Sequence, residues 1–321
     1  MSENIVTFEM WIAATFRVTT PILLAALGGL LSLQIGICNV ALEGFMLFGS
    51  FFGILISYMT GSSFLAVIAA GLIGLSVALI FAFCVIQLDG DPVIVGLSIN
   101  LLAWGITSYL ITVIFHESGS FRSPKIIPIL KLTLPIISKI PLIGKIFFEQ
   151  SLLMYISWLL VIVISILIYR THWGLYIRSV GENPYAAETV GINVILVRYL
   201  CVMCTGFLCG IAGAELSLGF MKIFSEDMTA GRGFLSFSAT IIGSANPLFV
   251  TAAAFVFGAA ESLALQLQGL QIPVQFPLMT PYIITILTMV IFSRNFKLLF
   301  KSRRKSKYYL KNENIINKRI K

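Results

Sequence analysis

The sequence predicts an all-α fold: a polytopic bundle of about eight to ten transmembrane helices, one segment of which is short or re-entrant. Three observations carry that prediction. Of 321 residues, 58% are hydrophobic and 11% charged, at a mean hydropathy of +0.97. A soluble chain carries about 25% charged residues, so most side chains here have no aqueous surface to face. Several apolar runs reach the roughly 18–20 residues that cross a hydrocarbon core about 30 Å thick. Charge, finally, is segregated: residues 294–321 hold 11 of the 22 Lys and Arg with one acid, Glu313, for a net +10. The remaining 293 residues are net −2. A basic segment beside a span is first a topology determinant that stays in the cytoplasm, and second an attractor of anionic lipid. Basic residues are not interleaved with aromatics as on an RNA-binding surface, so no nucleic-acid partner is expected.

Taken in order, apolar windows place spans at 12–36, 40–59, 63–86, 92–115, 152–170, 199–219, 233–245, 247–268 and 278–293. The start, MSENIVTFEM, is acidic where a cleavable signal is basic. Gly36 to Asn39 interrupts the first two spans, as unwound segments do in transporters. The connection 116–151 is long and carries Pro124, Pro128, Pro135 and Pro141; the connection 171–198 is polar, with Arg178, Glu182, Glu188 and Arg198. At about 1.5 Å per residue the window 233–245 covers roughly 20 Å, less than the hydrocarbon core. It reads either as a crossing or as a half-helix shielded by protein. If it crosses and the basic tail is cytoplasmic, parity puts 171–198 in the cytoplasm and 116–151 outside. Residues 1–293 are thus one membrane domain with a cytoplasmic loop at about 171–198, and 294–321 a basic tail.

Within the spans, Gly49 and Gly53 form one G-x-x-x-G, and Gly206 and Gly210 another, followed by Gly213. Small residues four apart let helix backbones approach closely, inside one bundle or between subunits. Cys201 and Cys204 form a C-x-x-C, but only His116 and His172 exist to complete a metal site. All five cysteines read as small packing residues in apolar segments.

The polar loop holds one helix. Asn183 suits an N-cap, Pro184 the first helical position and Gly191 the C-terminal stop. A helix of two turns is marginal alone in water, so it docks on its own bundle or in a socket on a partner. Ala186 and Ala187 would allow a close approach to such a socket, Glu182 and Glu188 could meet basic residues at its rim, and Arg178 belongs to the same coupling loop.

Here a resemblance becomes specific. GENPYAAETVGINV followed by VRYL (181–200), NVALEGFMLFGSFF (39–52) and MTAGRGFLSFSATIIGSANPL (228–248) stand in this order. They resemble three signatures of ABC-importer permeases of the branched-chain amino acid, ribose and nucleoside type. The likeness runs from about Thr20 to Phe292, and LEG with YRTHWGLYIRSVGENP is most similar to the nucleoside and simple-sugar subfamily, in its shorter paired permease. The Asn-Pro of GSANPL departs from the usual pattern. The resemblance implies a multi-pass permease of a bacterial cell membrane. Its partners would be a second permease, a cytoplasmic ABC ATPase docking on 182–191, and an extracytoplasmic binding protein or lipoprotein. The chain lacks a G-x-x-x-x-G-K-[ST] loop; it is expected to bind no cofactor itself, ATP being held by the partner ATPase, and not to be an enzyme.

Polar groups inside spans are costly and mark function. Glu43, Glu215 and Glu261 lie in or at apolar segments, and Arg232 stands between Gly231 and Gly233. Asn100 and Trp104, four apart, with Ser98 near by, offer a flat apolar surface and hydrogen-bonding groups suited to a nucleoside. Asn39 and Glu43 flank the helix break. The substrate-path candidates are therefore Asn39, Glu43, Ser98, Asn100, Trp104 and Arg232. Each also has a structural reading: Asn100 tying two helices, Trp104 packing, Glu43 holding a broken helix together, Arg232 capping. The leading function is nucleoside import, with ribose or galactose-type sugars second. An ion-coupled secondary transporter, using the three buried acids, is the alternative class.

Overall fold

The computed structural model describes residues 2–131 and 150–268, together with 279, 283–288 and 290. The basic tail, most of the last window 278–293 and the later part of the 116–151 connection lie outside the described residues. Among the described residues up to 268 the helices are α1 (Ser2–Gln34), α2 (Leu42–Thr60), α3 (Ser63–Ala82), α4 (Pro92–Phe115), α5 (Leu152–Arg170), α6 (His172–Glu182), α7 (Pro184–Thr189), α8 (Val194–Ala214), α9 (Arg232–Ile242) and α10 (Pro247–Leu267). π-Helical turns, with hydrogen bonds spanning five residues, extend α3 through Phe83–Gln87 and α8 through Glu215–Met221. Among the described residues, seven helices are long and apolar enough to cross a membrane. Helix α9, at 11 residues, is not.

Two ends of the bundle can be told apart. One carries α6 and α7 and is called the loop end. The other carries a two-stranded antiparallel ribbon, β1 (Ser120–Phe121) with β2 (Phe224–Ser225), and is called the ribbon end. Helix α1 starts at the ribbon end, where Gln150 donates to the Ala13 carbonyl (3.1 Å), and finishes at the loop end beside Gly181. Polar caps start most of the helices, α2 and α9 excepted: Asp91 accepts from Val93 and Ile94 N–H (2.9 and 3.1 Å) directly before Pro92, and Ser151 accepts from Met154 N–H (3.3 Å). Each cap satisfies donors that a helix N-terminus otherwise leaves bare.

Helices α1 and α2 occupy the centre; 83% of the crossing window of α1 is buried, against 28% for α4. Side chains from Ile22 to Leu27 are sealed, while α3, α4 and α5 turn Leu72, Leu101, Leu159 and other large apolar groups outward. That is the inverse of a soluble bundle and fits a lipid solvent, where exposed leucine costs nothing. Close packing does the holding instead. A Cβ on Gly210 would strike Ala70 and Gly71 of α3, and one on Gly49 would strike Gly210 itself. The small-residue spacing therefore joins α2, α3 and α8 of this one chain.

Three differences from the expectation have physical causes. Helix α8 begins at Val194 rather than 199, because Asn193 caps it by accepting from Leu196 N–H (2.9 Å). The loop 171–198 holds two helices, not one: α6 precedes α7, started by Thr171, which accepts from Gly174 N–H (3.2 Å). The window 233–245 is a crossing only in part. The chain leaves β2 at the ribbon end, threads inward through 226–231, and α9 completes the traverse to Ala245 at the loop end. Arg232, Gly233, Leu235, Ser236, Ala239 and Thr240 are buried in protein, which is what allows irregular backbone at that depth.

Candidate functional site: a buried ionic latch and a capped loop helix

The break after α1 is real: residues 35–41 are non-helical, and Gly36 has φ +84. Asn39 folds onto its own segment, its Oδ1 accepting from Ala41 N–H (3.0 Å). Asn100 of α4 then grips the start of α2 twice. Its Oδ1 accepts from Gly44 N–H (2.8 Å) and its Nδ2 donates to the Val40 carbonyl (3.1 Å). Both groups of the amide are spent on backbone, as in a tie between helices.

One residue before Gly44, the Glu43 carboxylate turns toward the N-terminus of α9. It accepts from Gly231 N–H through Oε1 (2.8 Å) and from Gly233 N–H through Oε2 (2.6 Å). A helix N-terminus offers unpaired donors and a positive dipole end, so a carboxylate there is favoured. Gly231 sits at φ +84, and a Cβ on Gly233 would run into the Glu43 backbone. The glycines around Arg232 are thus what lets α9 rest directly on α2. Arg232, between them, points the other way. Its Nη2 pairs with Glu261 Oε1 of α10 and its Nη1 donates to the Met228 carbonyl (3.0 Å). Glu43, Arg232 and Glu261 are all buried. Together they lock α2, α9 and α10 at one level of the bundle.

Of the six path candidates, the fold brings Asn39, Glu43, Asn100 and Arg232 to the inner ends of α2 and α9. It leaves Ser98 and Trp104 apart from them. Trp104 is 52% exposed on the uncovered face of α4, and Ser98, also exposed, returns its hydroxyl to the Ile94 carbonyl (2.9 Å). The expected pairing of Trp104 with Asn100 in one pocket is therefore not formed within this chain. Glu261 was visible in the sequence as an acid in an apolar run, but nothing local tied it to Arg232. Glu215, at the ribbon end of α8, accepts from the Ser151 hydroxyl and so joins α8 to α5. Among the described residues no three His, Cys, Asp or Glu side chains gather as a metal site.

At the loop end Asn183 accepts from Ala186 N–H (3.2 Å), Pro184 opens α7, and Gly191 has φ +86 with its N–H on the Glu188 carbonyl (2.9 Å). Tyr185, Ala186, Glu188 and Val190 are exposed, as is Glu182 at the end of α6. Arg178 lies over the Tyr169 ring (5.7 Å) and donates to the Gly174 carbonyl (3.3 Å). Ala187 departs from expectation: it is 2% exposed and packs into the central core. It cannot face a socket on another protein. An open groove of about 490 Å³ runs between α6 and the start of α8, lined by Trp173, Tyr176, Val190 and Leu196 among others.

These features sit within a match to a known family. Residues 11–293 match the model of the branched-chain amino acid transport system permease component. The chain belongs to that family. Among its relatives, the guanosine ABC transporter permease protein NupQ of Bacillus subtilis is 34% identical over 296 residues, covering 87% of this chain and 90% of that one. The nucleoside ABC transporter permease protein NupC of Lactococcus lactis is 35% identical over 300 residues, covering 89% and 93%. A provisionally named glucose ABC transporter permease, TsgC13 of Haloferax volcanii, is 34% identical over 263 residues, covering 81% and 78%. A second guanosine ABC transporter permease protein of Bacillus subtilis, NupP, is 24% identical over 280 residues, covering 80% and 74%. A second nucleoside permease of Lactococcus lactis, NupB, is 27% identical over 108 residues, covering 33% and 30%.

Proposed function

We propose that this chain is the nucleoside-conducting permease of an ATP-driven importer, paired with a second permease in a bacterial cell membrane. The observation that carries the reading is the similarity, over about nine-tenths of the chain, to two permeases named for guanosine and nucleoside transport. Their companions NupP and NupB support a paralogous second chain. The uncovered face of α4, with Ser98 and Trp104, is where such a partner and the solute would meet. An indole can stack on a nucleobase, and a hydroxyl can serve ribose. Glu43 and Asn100 then frame the path without touching solute, since both of their polar groups are engaged by backbone. Asn39 and Arg232 flank them, with Nδ2 and Nε buried and without a hydrogen-bond partner.

Energy would come from a separate ABC ATPase at the loop end, which is thereby cytoplasmic, with the basic tail on the same side. The exposed face of α7, Tyr185, Ala186, Glu188 and Val190, is the surface offered to it. A binding protein or lipoprotein would deliver solute at the ribbon end. Sugar import is the second reading, favoured by the likeness to TsgC13. Uptake of labelled guanosine, adenosine, ribose and glucose by a strain lacking this gene separates them. Loss of nucleoside uptake with sugar uptake intact is expected; the reverse pattern would establish the sugar reading. Nucleoside uptake that persists after ATP depletion and follows an ion gradient would mean a secondary transporter.

A further inference from the structure

We infer that Gln34 is a positioning residue that carries movement of the α6–α7 loop to the short helix α9. The inference rests on the reading of that loop as the ATPase-docking surface. Gln34 is the last residue of α1 and faces both elements. Its main-chain carbonyl lies against Gly181 in the last turn of α6, where a Cβ would overlap the carbonyl oxygen. No side chain cushions that contact, so α6 cannot shift toward α1 without moving its end. The Gln34 side chain turns to the other neighbour: Nε2 donates to the Ala245 carbonyl (2.8 Å). Ala245 in turn donates from its N–H to the Thr240 carbonyl (3.2 Å), in the last turn of α9. Gly181, Gln34 and Ala245 thus form an unbroken mechanical link from loop to helix.

Helix α9 has the connections of a part that moves as a unit. A left-handed backbone is uncommon away from glycine, and such residues collect at switch segments, held there by their surroundings. Asp227 (φ 53) and Ala230 (φ 45) precede α9; Ser244 (φ 51) and Ala245 (φ 57) follow it. Strain therefore sits on both sides of one short helix, where it can relax if the helix tilts. At its far end α9 is held by Glu43 and by the Arg232–Glu261 pair, about 16 Å from its loop end at 1.5 Å per residue. A pull on Ala245 would turn α9 against α2 and α10 at that latch.

The test uses the complete transporter, with paired permease and ATPase, in proteoliposomes, measuring labelled guanosine uptake and ATP hydrolysis together. Gln34→Glu keeps the side-chain length but sets an acceptor against the Ala245 carbonyl; Gln34→Lys keeps a donor. Gln34→Glu is expected to raise ATP hydrolysed per guanosine imported roughly two- to thirtyfold. Protein amount and ATPase co-purification should stay at wild-type values, and Gln34→Lys should recover much of the ratio. Gly181→Ala, which forces the loop away from α1, should shift the ratio in the same direction as Gln34→Glu. An unchanged ratio in Gln34→Glu overturns the inference, as does loss of protein from the membrane in both Gln34 variants, which would make the residue merely structural. If wild-type chain co-purifies with no ATPase, the importer reading itself fails and the inference with it, an outcome independent of the variants.

Discussion

Arg232 and Glu261 are the residues in which burial and charge conflict most. An isolated charge at the bilayer centre costs about 2.5–3.5 kcal/mol on insertion scales, and pairing Arg232 Nη2 with Glu261 across α9 and α10 offsets part of it. Removing one partner strands the other. Glu261→Gln is therefore expected to lower stability by about 3–5 kcal/mol, read as a fall in the thermal midpoint in detergent. The double variant Arg232→Met, Glu261→Leu should recover most of that loss, because it leaves no unpaired buried charge; a double variant as unstable as the single would refute the pairing account. Asn100 and Trp104 show the limit of spacing arguments at this scale. Positions four apart are offset by about 40° around a helix. With Ile99 and Ala103 buried, Asn100 stands at the edge of the buried stripe and reaches α2, while Trp104 has turned past it to the outside.

At the scale of elements, α7 was legible through its local chemistry. Asn183, Pro184 and Gly191 act on their own neighbours, so their roles follow from spacing alone. Which alanine faced outward did not follow, because a helix of six residues has two faces and only the bundle beneath selects one. Ala187 lies in the core, so Ala187→Trp should overpack it by about 1–3 kcal/mol and reduce the amount of protein in the membrane. Ala186→Trp should leave that amount unchanged and weaken ATPase co-purification. Equal protein loss in both would show that α7 has no free face. Helix α6 escaped the sequence reading because HWGLYIRSVGE mixes apolar and charged residues without a long apolar run. Its order comes from Gly174, Ile177 and Val180 packing on the bundle.

For the whole molecule, parity arguments depend on α9, and the fold shows how a helix too short to cross still changes sides. The loop 226–231 leads inward from β2 with Met228 and Thr229 buried and Asp227 and Ala230 exposed, and α9 finishes the passage, so the loop end and the ribbon end stay opposite. Sidedness then has a direct check. In a variant lacking Cys38, Cys84, Cys201, Cys204 and Cys209, Ser118→Cys at the ribbon end should react with an impermeant maleimide in intact cells. Thr189→Cys at the loop end should react only after permeabilisation. The opposite pattern would invert the orientation and move the ATPase surface to the ribbon end.

Legible in the residues alone were the membrane class, the ends of α2, α3 with its π turn, α4, α5 and α10 to within two residues, the break after Gly36 and the capped helix at Asn183. All of these follow from hydropathy and from contacts between residues a few positions apart. Tertiary structure alone decided that Glu43 would seat the start of α9, that Arg232 would find Glu261, and that Gln34 would join Gly181 to Ala245. The reason is physical: a buried charge or amide fixes that it must have a partner, but its identity depends on which helices the small residues allow to touch. Gly49, Gly210 and Gly233 set those approaches, and no local pattern states which backbone will fill the space a missing Cβ leaves.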